Sequence, residues 1–474
     1  MLRGTRYKRL PLNVAGGTSE TRSRSVSVAR LANWYPEATP EGVSGAALMP
    51  FPGVTAVGFI NDYDTDYSDR GAHTFNGVPY FVKGNYLYRL NSDTTCTRIG
   101  AIAGSNRCSM ADNGGVMVIC NGLTPYSYDG TTLNLLSSIT FSPSVVTYIG
   151  TYFVFDSDSD AFWVSDSFST NVSGDNTAIS ESSPDSFTAP YAFGQVLYLY
   201  GEDTIEPWQL ATGAPPFERA TQGIIERIGC SSPHGITNTV NAMYFIHRSG
   251  NLYRVRGFNA EPFAPSGIIA QVSRYDLTSY TAKSFSFDGQ HFVVFDFPAD
   301  NATLCYSETT NAWIVLDSGT HQDQWKAGSY CYAYGKHLLT DKTLTNIYRL
   351  DLDSFVNNWG VVVREKTFEF VSGEKMGDVR GVYEMSRLVL GLEAGVGLIS
   401  GQGENPLLGV QFSTDGKTWN QEVFVELGRL GEFSRKVEVP YMLQFQQLAI
   451  RIRLYDPIGF AIFSAGLDVR EAGY

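Results

Sequence analysis

Seven times between Gly77 and Leu339 a short aromatic or β-branched run follows a glycine or a small polar turn. The runs are Tyr80–Val82, Val116–Ile119, Tyr152–Phe155, Val196–Leu199, Met243–Ile246, Phe292–Phe295 and His337–Leu339. Their starts lie roughly 35 to 50 residues apart, the period of one four-stranded propeller blade. Second runs follow them, among them Tyr86–Leu90, Phe162–Val164, Asn251–Val255 and Asn346–Leu350, three of which carry Leu-Tyr-Arg or Ile-Tyr-Arg. Turn, strand, turn, strand reads as an antiparallel meander. Asp129-Gly130 and Asp288-Gly289 supply hairpin turns at positive φ. The chain is therefore expected to be all-β, a β-propeller-like ring of about seven (six to eight) antiparallel blades. Whatever it does must happen on the faces of that ring, in its channel or on its attachments.

The ring accounts for residues 46–360. At 474 residues the chain exceeds the ~250–300 over which a single core grows, so a second unit is expected. Residues 361–474 supply it. From Gln447 to Tyr455, Leu448, Ile450, Ile452 and Leu454 face one way and Ala449, Arg451 and Arg453 the other, the pattern of a half-buried strand. With Leu388–Leu392, Leu408–Phe412, Val423–Leu427, Arg435–Val439 and Phe460–Val469 this predicts a C-terminal β-sandwich. Residues 1–45, rich in Arg, Ser and Gly and then in Pro, read as an extended basic arm and connector.

Charge narrows the function. A net charge of −13 excludes bulk affinity for nucleic acid, which needs phosphate neutralisation by Lys and Arg. Residues 1–30 run against that balance, with seven basic residues and the single acid Glu20. A solvated tail accounts for this, and so does an arm that docks on an acidic partner, with Arg3, Arg6, Lys8, Arg9, Arg22 and Arg24 as the docking residues. The six scattered cysteines form no CxxC, and Cys120 and Cys305 sit in apolar runs as small buried hydrophobes. No signal-peptide pattern and no membrane span is read, so the chain is expected to be soluble and made in a cytosol.

No motif carries chemistry. The ladders Asp62-x-Asp64-x-Asp66 and Asp156-x-Asp158-x-Asp160 lack the glycine and terminal carboxylate of a calcium loop. The string Ser413-Thr414-Asp415-Gly416-Lys417-Thr418-Trp419 approaches an Asp-box but lacks one residue and reads as a hairpin turn. Histidines 73, 234, 247, 291, 321 and 337 are dispersed, and no HExxH, GxSxG or Walker pattern occurs. Neither enzymatic activity nor a metal or cofactor is expected.

Four blocks, in order and spacing, resemble the packaged DNA stabilisation or tail-hub (nozzle) proteins of short-tailed bacteriophages: Asn33-Trp34-Tyr35-Pro36-Glu37 through Phe51-Pro52-Gly53-Val54-Thr55; Phe162-Trp163-Val164-Ser165-Asp166; Thr204-Ile205-Glu206-Pro207-Trp208 through Gly229-Cys230-Ser231; and Ser413 to Trp419 with Gly428 to Phe433. The resemblance implies a protein of the virion tail, assembled in the host cytoplasm. It implies a homo-oligomer, expected to be a hexamer, below the portal and head-to-tail adaptor. Such a ring extends the channel for double-stranded DNA without sequence specificity, retains the packaged genome and carries tailspikes, fibres or a needle. The alternative reading is a glycan-binding or glycan-cleaving propeller at a tail tip, with Trp208, Trp313 and Trp325 stacking on sugars. A cellular scaffold propeller is the third.

Overall fold

The computed structural model describes residues 6–40, 45–62, 66–157, 159–180, 185–220, 223–319, 323–357, 359–372 and 381–472. Seven antiparallel meanders follow one another from Asp69 to Asp351. Each apolar run that marks the repeat is the second strand of one meander, from Val78–Lys83 in the first to Lys336–Asp341 in the seventh. These strands are covered on both faces by neighbouring sheets, which is why they read as unbroken apolar runs; Met117, Val118, Ile119 and Cys120 are all fully buried. Asp288 and Gly289 have φ of 48° and 72° and close the hairpin between Thr281–Phe287 and Gln290–Phe297.

The seventh meander has only three strands of its own. Its fourth is Gly53–Phe59, which pairs antiparallel with Asn346–Asp351. The ring is thus fastened by a strand from the other end of the repeat, which covers the edge strand Asn346–Asp351 of the seventh sheet.

The C-terminal unit is a sandwich of two sheets. One runs Trp34–Ala38, Ala46–Pro50, Ile462–Glu471, Tyr383–Leu392, Val437–Phe445, with Lys8–Leu12 also on Ile462–Glu471. The other contains Arg364–Thr367, Gln447–Leu454, Leu407–Ser413 and Val423–Glu426. Leu448, Ile450, Ile452 and Leu454 are fully buried between the sheets with Leu388, Val439 and Leu467. The basic N-terminal segment, read from sequence as an arm, lies back along the molecule where it is described. Lys8–Leu12 pairs with residues 465–469, and Arg30–Ala32 lies between Ala312–Val315 of the sixth meander and Arg364–Thr367 of the sandwich. Extended backbone with unpaired amides is a template for sheet addition, and here the protein's own edges take it up. One ten-stranded sheet thereby runs from the propeller into the sandwich, and one hydrophobic cluster joins Phe285, Phe292 and Trp325 of the ring to Trp34, Leu388 and Ile452.

Two features fix that junction. Gly416, at φ 72°, forms the tip of the hairpin that follows Leu407–Ser413, and a Cβ there would meet the Arg24 carbonyl at 2.5 Å. The strand Arg364–Thr367 is charged and yet buried throughout. Glu365 is ringed by Arg453 Nε at 2.8 Å, Arg30 Nε at 3.5 Å and Arg451 Nε at 3.7 Å; burial would raise its carboxyl, and these guanidinium groups hold it low instead.

Candidate functional site at the propeller axis

The first strand of each meander faces the axis, and polar side chains or backbone groups tie each one to the next. His73 Nε2 meets Asp112 Oδ2 at 2.6 Å. Ser109 Oγ donates to the Val146 carbonyl at 3.2 Å, and the Ala192 amide to Thr147 Oγ1 at 3.3 Å. Tyr191 OH donates to Asn238 Oδ1 at 2.7 Å, and Thr237 Oγ1 lies 3.2 Å from Ser284 Oγ. Lys283 Nζ donates to the Ala327 and Gly328 carbonyls at 2.9 and 2.7 Å. The Ser329 amide donates to Asp69 Oδ2 at 2.9 Å, which returns to the first meander. The ring is closed at its centre by side-chain chemistry as well as at its rim by a strand.

Along the axis lie two cavities of about 370 and 530 Å³ that share Ala72, Arg107, Cys108 and Ala282. These are the volumes of small-ligand sites. A duplex whose major groove alone is about 12 Å wide does not pass through them.

One end of the axis is charged. Asp296 accepts from Lys283 Nζ at 2.6 Å, Lys342 Nζ at 2.8 Å and Thr303 Oγ1 at 2.8 Å. Asp69 accepts from the Ser329 amide and hydroxyl, from Thr340 Oγ1 at 2.7 Å and, at a longer 3.5 Å, from Arg107 Nη1. Burial would raise both carboxyls. The two lysines outweigh it and hold Asp296 down to about 2, while Arg107 and Lys83 lower Asp69. Burial also lowers the Lys283 ammonium, against the pull of Asp296. His234, beside Arg107 on the wall of the larger cavity, is pushed down to about 3 by burial and by that guanidinium, and is neutral at physiological pH.

The basic N-terminal residues separate into groups. Arg3 lies outside the described residues. Arg9 grips Asp468 through Nε at 2.8 Å and Nη2 at 3.1 Å, and Arg24 pairs with Glu20 at 2.8 Å. Arg6, Lys8 and Arg22 are exposed.

The described members of the acidic ladders bond within the fold. Asp62 pairs with Arg98 at 3.0 Å, and Asp156 accepts the Ser144 and Val145 amides, while Asp64 and Asp158 lie outside the described residues. No group of three or more His, Cys, Asp or Glu among the described residues is placed to hold a metal. All six cysteines are free, and no described helix is long and apolar enough to cross a membrane. Asp415 accepts the Lys417 and Thr418 amides at 2.7 Å each, the turn expected there. Trp208, Trp313 and Trp325, considered as sugar platforms, are instead core residues, 8%, 2% and 2% exposed. The axial cluster was not anticipated from sequence. Its members are spread from position 69 to position 342, and no local motif joins them.

Solved structures of similar shape include a streptogramin B lyase (TM-score 0.45, 11% identity, 62% of this chain and 96% of that one). The N-terminal domain of Nup159 is another (TM-score 0.39, 9% identity, 64% and 94%), as is a chain of the mitotic checkpoint complex (TM-score 0.41, 14% identity, 66% and 96%). No curated protein matches the chain in sequence. The family model described as Bacteriophage P22 Gp10, beta-propeller, matches residues 8–355, which cover the ring and its closing strand. The chain belongs to this family of phage packaged-DNA stabilisation proteins.

Proposed function

We propose that the chain is a structural protein of a short-tailed phage virion, a tail hub or nozzle below the portal and head-to-tail adaptor, and not a catalyst. It extends the DNA channel, holds the packaged genome and anchors tail appendages. The observation that carries this reading is the family match over the closed ring. Two physical points support it. The axial cavities are too small for a duplex, so the DNA path runs between copies of the chain arranged as a homo-oligomeric ring, a hexamer by family resemblance. The net charge of −13 lets that path pass DNA without gripping it.

A cyclic ring needs two different faces of one subunit in contact. Arg6, Lys8 and Arg22, exposed along the N-terminal segment, suit one such face against an acidic neighbour. Phage particles assembled without this chain test the reading. They are expected to package DNA and then lose it, and purified protein added back restores retention. Particles that keep genome and appendages without the chain overturn the proposal.

A further inference from the structure

We propose that the charged end of the propeller axis is a binding site for a small oxyanion, a phosphate or a carboxylate. The cavity of about 370 Å³ is lined by three cationic side chains, Arg107, Lys283 and Lys342, against two carboxylates, Asp69 and Asp296. The carboxylates line the same space, but each has a side chain only 4% exposed. Their oxygens are occupied by Thr303, Thr340, Ser329 and the cations themselves. The cations are the more exposed part of the lining, with Arg107 32% and Lys342 15% exposed.

Donor accounting points the same way. All three N–H of Lys283 are used, by Asp296 and the Ala327 and Gly328 carbonyls. Lys342 uses two, on Asp296 and Gln324, and keeps one. Arg107 uses two of its five, on Asp69 and Ser329 Oγ, and keeps three. The lining thus carries an excess of one positive charge and a set of unspent donors, in a protein whose overall charge is −13. Donors of that kind match an oxyanion. Lys283 Nζ also lies 5.2 Å from the Trp325 ring, which places an indole beside the site.

Calorimetric titration of the full chain at low salt, with inorganic phosphate and separately with citrate, tests the site. One saturable site per chain is expected for at least one of the two anions, with the preferred anion separating phosphate from carboxylate chemistry. Arg107→Gln and Lys342→Gln are each expected to weaken it by about tenfold or more, the worth of a hydrogen bond to a charged group, while exposed Lys336→Gln leaves it unchanged. Should a variant fail to fold, the wild-type protein still decides through added sodium chloride, which is expected to weaken the site. Absence of saturable binding for both anions, or binding indifferent to salt or to both substitutions, overturns the proposal.

Discussion

The propeller and the sandwich hold together by opposite means. In the ring most strands pair with their neighbours in sequence, and the strands that come from afar are Gly53–Phe59 on the seventh meander and Arg30–Ala32 on the edge of the sixth. In the sandwich, residues near the start of the chain pair with residues near its end, as Lys8 does with Val469. Local hairpins form early and at little loop-closure cost, whereas distant pairings come at the entropy of a long closure. The ring is therefore a set of units that the chain can build in order, and the sandwich with its seam is the last part to be made and the first to be lost.

Four substitutions test that difference. The largest effect belongs to the sandwich core. Trp34 is fully buried with its ring edge-on to Phe460 at 6.1 Å, so Trp34→Ala is expected to cost about 3–5 kcal/mol in denaturant unfolding. Hydrogen exchange should rise first in residues 383–392 and 437–471, with the meanders still protected. If the ring amides exchange in step with those of the sandwich, the two regions are one cooperative unit and the contrast fails.

Next is the seam. Burial lowers the Lys366 ammonium, whose one donated hydrogen bond goes to the Gly16 carbonyl, to about 7. A cation with a lowered folded pKa binds fewer protons folded than unfolded. Its penalty is full below about 7 and is relieved as pH rises toward its ordinary value near 10.4. Lys366→Met should raise stability at neutral pH and remove that slope from a urea titration run at several pH values; an unchanged slope contradicts it.

The axis behaves in the opposite sense. The Asp296 carboxyl lies at about 2 in the folded protein and near 3.9 when unfolded, so its contribution of about 2–3 kcal/mol is present above pH 4 and is lost as pH falls toward 2. Asp296→Asn should flatten this acid limb in a thermal melt series, at the cost of lower stability at pH 7 from the unpaired lysines. An acid limb that keeps its full depth would remove Asp296 from the account. The smallest effect is expected at Arg24, whose pair with Glu20 is exposed. Arg24→Ala should shift stability by no more than about 0.5 kcal/mol, and a larger loss on chemical denaturation would show that the N-terminal segment is held by more than its backbone.

The same contrast explains what could be read from the sequence. The second strand of every meander was legible because both of its faces are covered, as the runs Val116–Ile119 and Phe292–Phe295 show. Gln447–Leu454 was legible for the complementary reason, one apolar face alternating with arginines. Lys8–Leu12 was not, because its two cations and a proline give no strand pattern, and its pairing depends on an edge more than 450 residues away. Arg364–Thr367 reads as surface, and the convergence of Arg30, Arg451 and Arg453 from distant parts of the chain offsets the burial of its Glu365 carboxylate. The axial cluster escaped for a related reason. Lys283 and Asp296 share the sixth meander, but Asp69 comes from the first, Arg107 from the connection after it and Lys342 follows a strand of the seventh, so the whole group meets only when the ring closes.

Imaging of purified phage particles by electron cryomicroscopy tests the central claim most directly. The account predicts several copies of this chain around the DNA column at the tail, each with the axis of its own ring displaced from that column. Particles without the chain at the tail, or density for a duplex threading the centre of a single ring, would contradict it.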